Sequence, residues 1–296
     1  MRVLPSGRLA VQGDLCPWAP GPQLRHAFLQ TNHFVVGQTW STFSDPEADT
    51  IGIDFEGLNA ISRFRQPLFR WTPSGTSARY QWAFAVENPA PDLTGAEGLN
   101  FTPDFIARLK FQPGVKRGLA LYTDHIQASL LVRQLRGQVP GQAGDALAAS
   151  GIGGNISGVL VPRWDADDRI KFAVNVGSGI GRYIADLSSL GGQDAVYDPV
   201  QDSLRALSVS SGYFGYEHAW SRVFTTAVTY GVVNVSNLDI QLEDAFHRTQ
   251  RTSINLMWNP VPFVDIVVEY LAGTRVNKNG QRASSSQIQS GWTLKF

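Results

Sequence analysis

Arginine is the residue type best placed to do chemistry in this chain, and three arginines crowd one short stretch. Arg63, Arg65 and Arg70 follow directly on an irregular segment at 42–61. A guanidinium keeps its charge and presents its donors in a flat fork, so grouped arginines gather anions and hold carboxylates by paired hydrogen bonds. Further cations (Arg25, Arg79, Arg108, Arg133, Arg169 and Lys171) fall on the polar side of alternating segments. Taken singly, each reads as a water-facing side chain paired to some Asp or Glu. The group containing Arg65 and Arg70 favours anion handling instead. Asp54 and Glu56, in the preceding segment, are expected as partners of these arginines or as turn residues. Trp40 offers a ring for a solute to stack on, and serves equally well as an aromatic at a polar–apolar boundary.

Signals for catalysis are weak. The histidines (His26, His33, His125, His218 and His247) are scattered one to a segment, with no pair at metal-ligand spacing. One cysteine, Cys16, excludes an intramolecular disulfide and a Cys-based zinc site. No Gly-x-Ser-x-Gly elbow occurs, and Gly177, Gly179 and Gly181 alternate without the Lys-Ser/Thr of a phosphate loop. Gly151-Ile152-Gly153-Gly154 reads as a bend at a strand start. A Ser–His pair on a lipid-facing rim would suffice for a lipid hydrolase, but no pair stands out. No cofactor, metal or catalytic residue is expected.

The elements that must carry the arginines are strands. Segments of roughly ten residues with period-2 alternation recur throughout, and helical periodicity is scarce. At 78–87, Tyr80, Trp82, Phe84 and Val86 oppose Arg79, Gln81 and Glu87; at 169–177, Ile170, Phe172, Val174 and Val176 oppose Arg169, Lys171 and Asn175. Counting weaker segments, such as 7–15, 62–72 and 125–136, about fourteen strands are expected. Turn residues separate them, and longer irregular stretches lie at 42–61, 88–103, 137–149, 179–204 and 235–244. The last strand sets Ile288, Trp292, Leu294 and Phe296 on one face and Gln287, Gln289, Thr293 and Lys295 on the other.

Composition narrows the class. Lys+Arg equal Asp+Glu at 25 each over 296 residues, which argues against nucleic acid as a partner. No apolar run approaches 18 residues, so no helix can span a bilayer; a spanning strand, however, needs only about 9–11 alternating residues. Mid-strand Arg, Lys, Asp, Glu, Gln and Asn recur on one face, and Phe, Trp, Tyr, Val and Ile on the other. That polarity suits a barrel with lipid outside and water inside better than a soluble sandwich. Met1 to Gly13 lacks the charged and apolar regions of a secretory signal, so a barrel reading requires a start upstream of Met1.

Three segments then resemble one family. Gly37-Gln38-Thr39-Trp40-Ser41-Thr42-Phe43, an Asp54-Phe55-Glu56-Gly57 loop and Arg65-Gln66-Pro67 follow in the order found in the DcaP-like porins of Gram-negative outer membranes. Gly179 to Leu187 is similar to a loop segment of the same family, and the likeness covers nearly the whole chain. The resemblance implies a sixteen-stranded homotrimeric porin in the cell outer membrane that passes small anionic solutes such as dicarboxylates. It also implies that a signal peptide, an N-terminal segment and about two first strands are missing, and that 113–124 is an insertion. The 42–61 segment takes the place of a constriction loop. Trp292, Leu294 and Phe296 take the place of the C-terminal signal read by the barrel-assembly machinery.

In that setting Arg63 and Arg65 share a face and Arg70 opposes them. A bulge at Pro67, which cannot donate to the ladder, would turn Arg70 inward. We expect the bulge, because an arginine facing lipid near midplane costs about 2–4 kcal/mol. The expected protein is therefore a single all-β domain over 1–296, a transmembrane antiparallel β-barrel acting as a diffusion porin, with outer-membrane lipid and anionic solutes as partners. An outer-membrane barrel enzyme or adhesin is the rival, followed by a soluble β-sandwich binding protein.

Overall fold

The computed structural model describes residues 2–4, 7–15, 22–54, 57–73, 79–113, 124–141, 144–162, 164–165, 167–190 and 193–295. Cys16, Glu56, Phe296 and most of the expected insertion at 113–124 lie outside the described residues.

Strands dominate. The first four are β1 (Arg2–Leu4), β2 (Gly7–Leu15), β3 (Pro22–Gln30) and β4 (Phe34–Trp40), and a long loop separates them from β5 (Arg65–Trp71) and β6 (Tyr80–Glu87). Two short pieces, β7 (Leu93–Thr94) and β8 (Glu97–Gly98), precede β9 (Asp104–Phe111), β10 (His125–Gln138), β11 (Leu147–Leu160) and β12 (Arg169–Ser178). A short helix, α1 (Ala185–Leu190), leads to β13 (Ala195–Asp198) and β14 (Ser203–Ala206). Long hairpins complete the chain: β15 (Ser208–Ala219), β16 (Phe224–Ser236), β17 (Phe246–Val261), β18 (Val264–Asn277) and β19 (Arg282–Leu294). Each segment expected as a strand forms one.

Fifteen strands pair in one antiparallel path, β1-β2-β3-β4-β5-β6-β9-β10-β11-β12-β15-β16-β17-β18-β19, with β8 added to β10. Consecutive hairpins explain this order, since each strand pairs with the next long one along the chain. Strands β7, β13 and β14 form a separate small sheet.

Alternation fixes the two faces. On β6, Tyr80, Trp82, Phe84 and Val86 are exposed while Ala83, Ala85 and Glu87 are buried. The same holds on β10, where Ile126, Leu130 and Val132 are exposed against buried His125, Gln127 and Arg133. Apolar outside and polar inside inverts the arrangement of a soluble protein.

The polar face bends around the loop at 41–64. That loop leaves β4 after Trp40, yet Ile53 meets Glu269 on β18, ten strand spacings away. On a flat sheet ten spacings measure about 48 Å. Thirteen residues stretched to the full reach only about 45 Å, and these include a 3-10 turn at Pro46–Ala48. The sheet therefore curves, with the loop on its concave side. The segments at 88–103 and 179–207 also fold in, and Tyr183, Ile184 and Leu187 pack on Phe43, Leu131 and Leu207 in the largest apolar cluster.

Two glycines let the loop lie against the wall. A Cβ at Gly231 would sit 2.6 Å from the Asn59 carbonyl oxygen, and one at Gly215 would collide with Thr50 Cγ2. Gly231→Val should therefore lift the loop. We expect faster limited proteolysis within 41–64 and unchanged strand content by circular dichroism; equal protection in both proteins would refute the contact.

Candidate functional site

The loop is docked by complementary charge. Between 41 and 62 it carries five acids (Asp45, Glu47, Asp49, Asp54 and Glu56) and no Lys or Arg. The wall supplies the opposite sign from inward positions on four strands. His125 Nε2 lies 2.8 Å from Asp45 Oδ2, and Lys110 Nζ lies 2.9 Å from Glu47 Oε2. Lys171 Nζ donates to the Asp49 carbonyl at 2.7 Å, and Arg251 pairs with Asp54. Wall carboxylates in turn accept loop amides: Thr42 N–H to Glu87 (2.7 Å), Ile51 N–H to Glu217 (2.8 Å) and Ile53 N–H to Glu269 (3.0 Å). Burial alone would raise the Asp45 carboxyl, but hydrogen bonds from His125 and Ser157 and the charges of His125 and Lys110 hold it below its ordinary value.

Ser157, His125 and Asp45 do not form a catalytic triad. Ser157 Oγ and His125 Nε2 both bind Asp45 Oδ2, at 2.9 and 2.8 Å, so the histidine is not placed to take the serine's proton. At the 161–168 turn, Asp165, Asp168 and His218 bring possible metal-ligand atoms within 4.8 Å of one another. Tyr216, His218 Nδ1 and the Ala219 amide already occupy Asp168, which makes it a hydrogen-bond hub between turns.

Where the loop leaves and rejoins the sheet, positive charge is left over. The Arg65 and Arg63 guanidiniums lie 4.6 and 5.0 Å from the centroid of Trp40. His26 meets the same indole edge-on, with ring centroids 5.3 Å apart, and donates to or accepts from Thr39 Oγ1 at 3.1 Å. The charges of Arg25 and Arg63 both bear on Arg65. Asp49 Oδ2, 3.6 Å from Arg63 Nε, is the one carboxylate within ion-pair reach of Arg63 or Arg65 among the described residues.

Arg70 stands apart from that cluster, and by a different route from the one expected. Strands β4 and β5 pair without a break from Phe34↔Trp71 to Trp40↔Arg65, so Pro67 makes no bulge. Gln66 and Leu68 are buried and Arg70 shares their side, while Pro67, Phe69 and Trp71 are exposed. Arg70 is thus inward in regular register; Arg65, the first residue of β5, has the parity of Pro67 and Phe69, but it is half-buried and its guanidinium lies over Trp40 beside that of Arg63. Arg63 precedes the strand, so strand parity does not apply to it. Arg70 donates to Thr42 Oγ1 and to the Trp40 carbonyl, both at 2.7 Å, which ties down the start of the loop.

The other expected cations are dispersed. Arg133 is fully buried between Asp104 (3.1 Å) and Asp194 (2.9 Å), and also donates to the carbonyls of Gly179 and Pro89. Lys171 is buried on Glu217 (3.0 Å), and Arg169 is buried on the Asp168 carbonyl. Arg108 is half-buried on β9, and Arg79 is exposed just before β6. Asp54 pairs with Arg251 rather than with Arg63 or Arg65, which corrects the expected partnership. Trp292 and Leu294 are exposed on β19. Sequence reasoning missed Asp49, His26 and Arg251; the run of acids without a base at 41–62 was the available signal for the first and third.

No protein-family model matches the chain, and no curated protein does. Solved structures do. The outer membrane channel DcaP of Acinetobacter baumannii is similar over 97% of this chain and 79% of its own, with a TM-score of 0.83 at 18% identity. An anion-selective porin from Comamonas acidovorans covers 93% of this chain and 77% of its own (TM-score 0.54, 10% identity), and OmpT, an outer membrane protein of Vibrio cholerae, covers 99% and 86% (TM-score 0.53, 10% identity). At such identities the likeness is one of fold.

Arg133 provides a test of the interior. Removing it leaves Asp104 and Asp194 buried without their cation, which typically costs about 3–5 kcal/mol. Arg133→Ala should therefore lower the urea midpoint markedly. An unchanged midpoint would mean that water reaches both acids.

Proposed function

We propose that this protein is an outer-membrane porin, a passive channel for small anionic solutes of the dicarboxylate type. In this reading the curved sheet closes as a barrel, its exposed apolar face meets lipid, and the 41–64 loop is the constriction. The single observation that carries it is Arg63 and Arg65 lying over Trp40 where the loop rejoins the sheet, beside a loop whose Asp45, Glu47 and Asp54 are paired by the wall. An anion passing there meets fixed positive charge with low-dielectric walls behind it. The fold shared with DcaP supports the channel class, and the Comamonas porin, itself anion-selective, agrees with the charge.

The magnitude is adequate. Two unit charges about 4 Å apart interact by roughly 4 kcal/mol at an effective dielectric of about 20. A third of that favours anion over cation entry by about tenfold. In planar bilayers under a salt gradient, Arg65→Ala should lower the anion-to-cation permeability ratio several-fold, more at low salt than at high. Arg70→Ala should act differently, raising current noise by loosening the loop. Reversal potentials unmoved by Arg65→Ala would overturn the anion path.

We also propose a homotrimer, on the family resemblance. It should run as a heat-modifiable, SDS-resistant band, because closed barrels have no free edge to unzip. A single-barrel mass in detergent by light scattering would refute it.

A further inference from the structure

We propose that Asp49 sets the charge of the arginine cluster, acting as a removable counter-ion to Arg63 and so making anion preference depend on pH. This inference rests on the anion-path reading above. Asp49 sits in the 41–64 loop, on the turn of chain facing β12 and β15. Its Oδ2 lies 3.6 Å from Arg63 Nε, too long for a hydrogen bond, and that buried oxygen has no hydrogen-bond partner. The side chain is 16% exposed, which gives a proton a route in.

Among the described residues, Arg63 is the one cation within ion-pair reach of the Asp49 carboxylate. From the loop, Asp45 adds negative charge nearby, and it is itself held by His125 and Ser157. From β12, Lys171 approaches, but its ammonium is bound to Glu217 of β15 at 3.0 Å and to the Asp49 carbonyl at 2.7 Å. From β15, the Tyr213 hydroxyl hydrogen-bonds the Asp49 carboxyl. Burial pushes that carboxyl up to about 7, with Asp45 adding to the rise and Arg63 and Lys171 opposing it.

The sign follows directly. Below about 7, Asp49 is protonated and neutral, and the Arg63 charge adds in full to that of Arg65. Above it, the carboxylate offsets Arg63 and the cluster carries one charge less. Anion preference should therefore be strongest in acid and decline as pH rises through neutrality.

The test is reversal potential in planar bilayers under a potassium chloride gradient, from pH 5.5 to 8.5. The wild type should lose about two- to threefold in chloride-over-potassium permeability across that range, the size expected for one screened charge among several. Asp49→Asn should hold the acid-side value at every pH. Arg63→Gln should start from a lower value in acid and shift its decline to higher pH, because the guanidinium that opposes Asp49 protonation is gone; this guards against a folding defect in either variant alone, and heat-modifiable migration checks both. Glu243→Gln, an exposed acid paired to Lys278 in the 237–245 loop, should keep the wild-type profile. A wild-type selectivity that is anionic but flat with pH, or an Asp49→Asn protein with the wild-type profile, overturns the role of Asp49 and leaves the anion path standing. A wild type with no anion preference at any pH overturns both.

Discussion

A charge placed inside a curved sheet needs a partner, and that requirement organises the interior of this protein. The inward face carries bases (Lys110, His125, Lys171, Arg251) and acids (Glu87, Glu217, Glu269) that would be costly to bury alone. The 41–64 loop answers both sets, with acidic side chains for the bases and backbone amides for the acids. The loop needs the wall equally, because its amides have no ladder of their own to join. Neither part is satisfied without the other.

This mutual neutralisation decides which charges are left uncompensated. Most inward cations are held, Arg133 most completely, between two carboxylates and two carbonyls. The residual charge sits where the loop leaves β4 and rejoins β5, since Asp45, Glu47 and Asp54 are paired further along the wall and only Asp49 comes within ion-pair reach among the described residues. Arg63 and Arg65 lie over one indole, an arrangement in which the aromatic face partly offsets the repulsion between two like charges. In the proposed reading, charge selectivity arises from an imbalance within a docked loop.

Close approach is the second condition. The loop touches the wall at Gly215 and Gly231, where any side chain would occupy the space of Thr50 or Asn59. Glycine on an inward strand position, usually a weakness in a strand, is here what allows the loop to sit within hydrogen-bonding distance. Further out, the large exposed side chains continue across the strands, from Trp71 and Phe84 to Tyr270 and Trp292. A soluble monomer rarely shows an apolar surface of that extent.

Strand positions and their two faces were legible in the sequence because alternation is a local property: Trp82 beside Ala83, or Ile126 beside Gln127, states its face without reference to anything distant. The irregular segments were legible for the same reason, and so was the absence of bases from 41–62. Which cations would meet was not. Arg63, Arg65 and Arg70 are neighbours in the chain, yet Arg70 turns inward in unbroken register while Arg65 stacks on Trp40, and Arg133, alike in sequence pattern, disappears between Asp104 and Asp194. Those outcomes depend on partners up to about 200 residues away, such as Asp54 with Arg251. Local sequence determined the strands and their polarity; only the curved sheet, by bringing distant charges to one loop, decided which of them were cancelled.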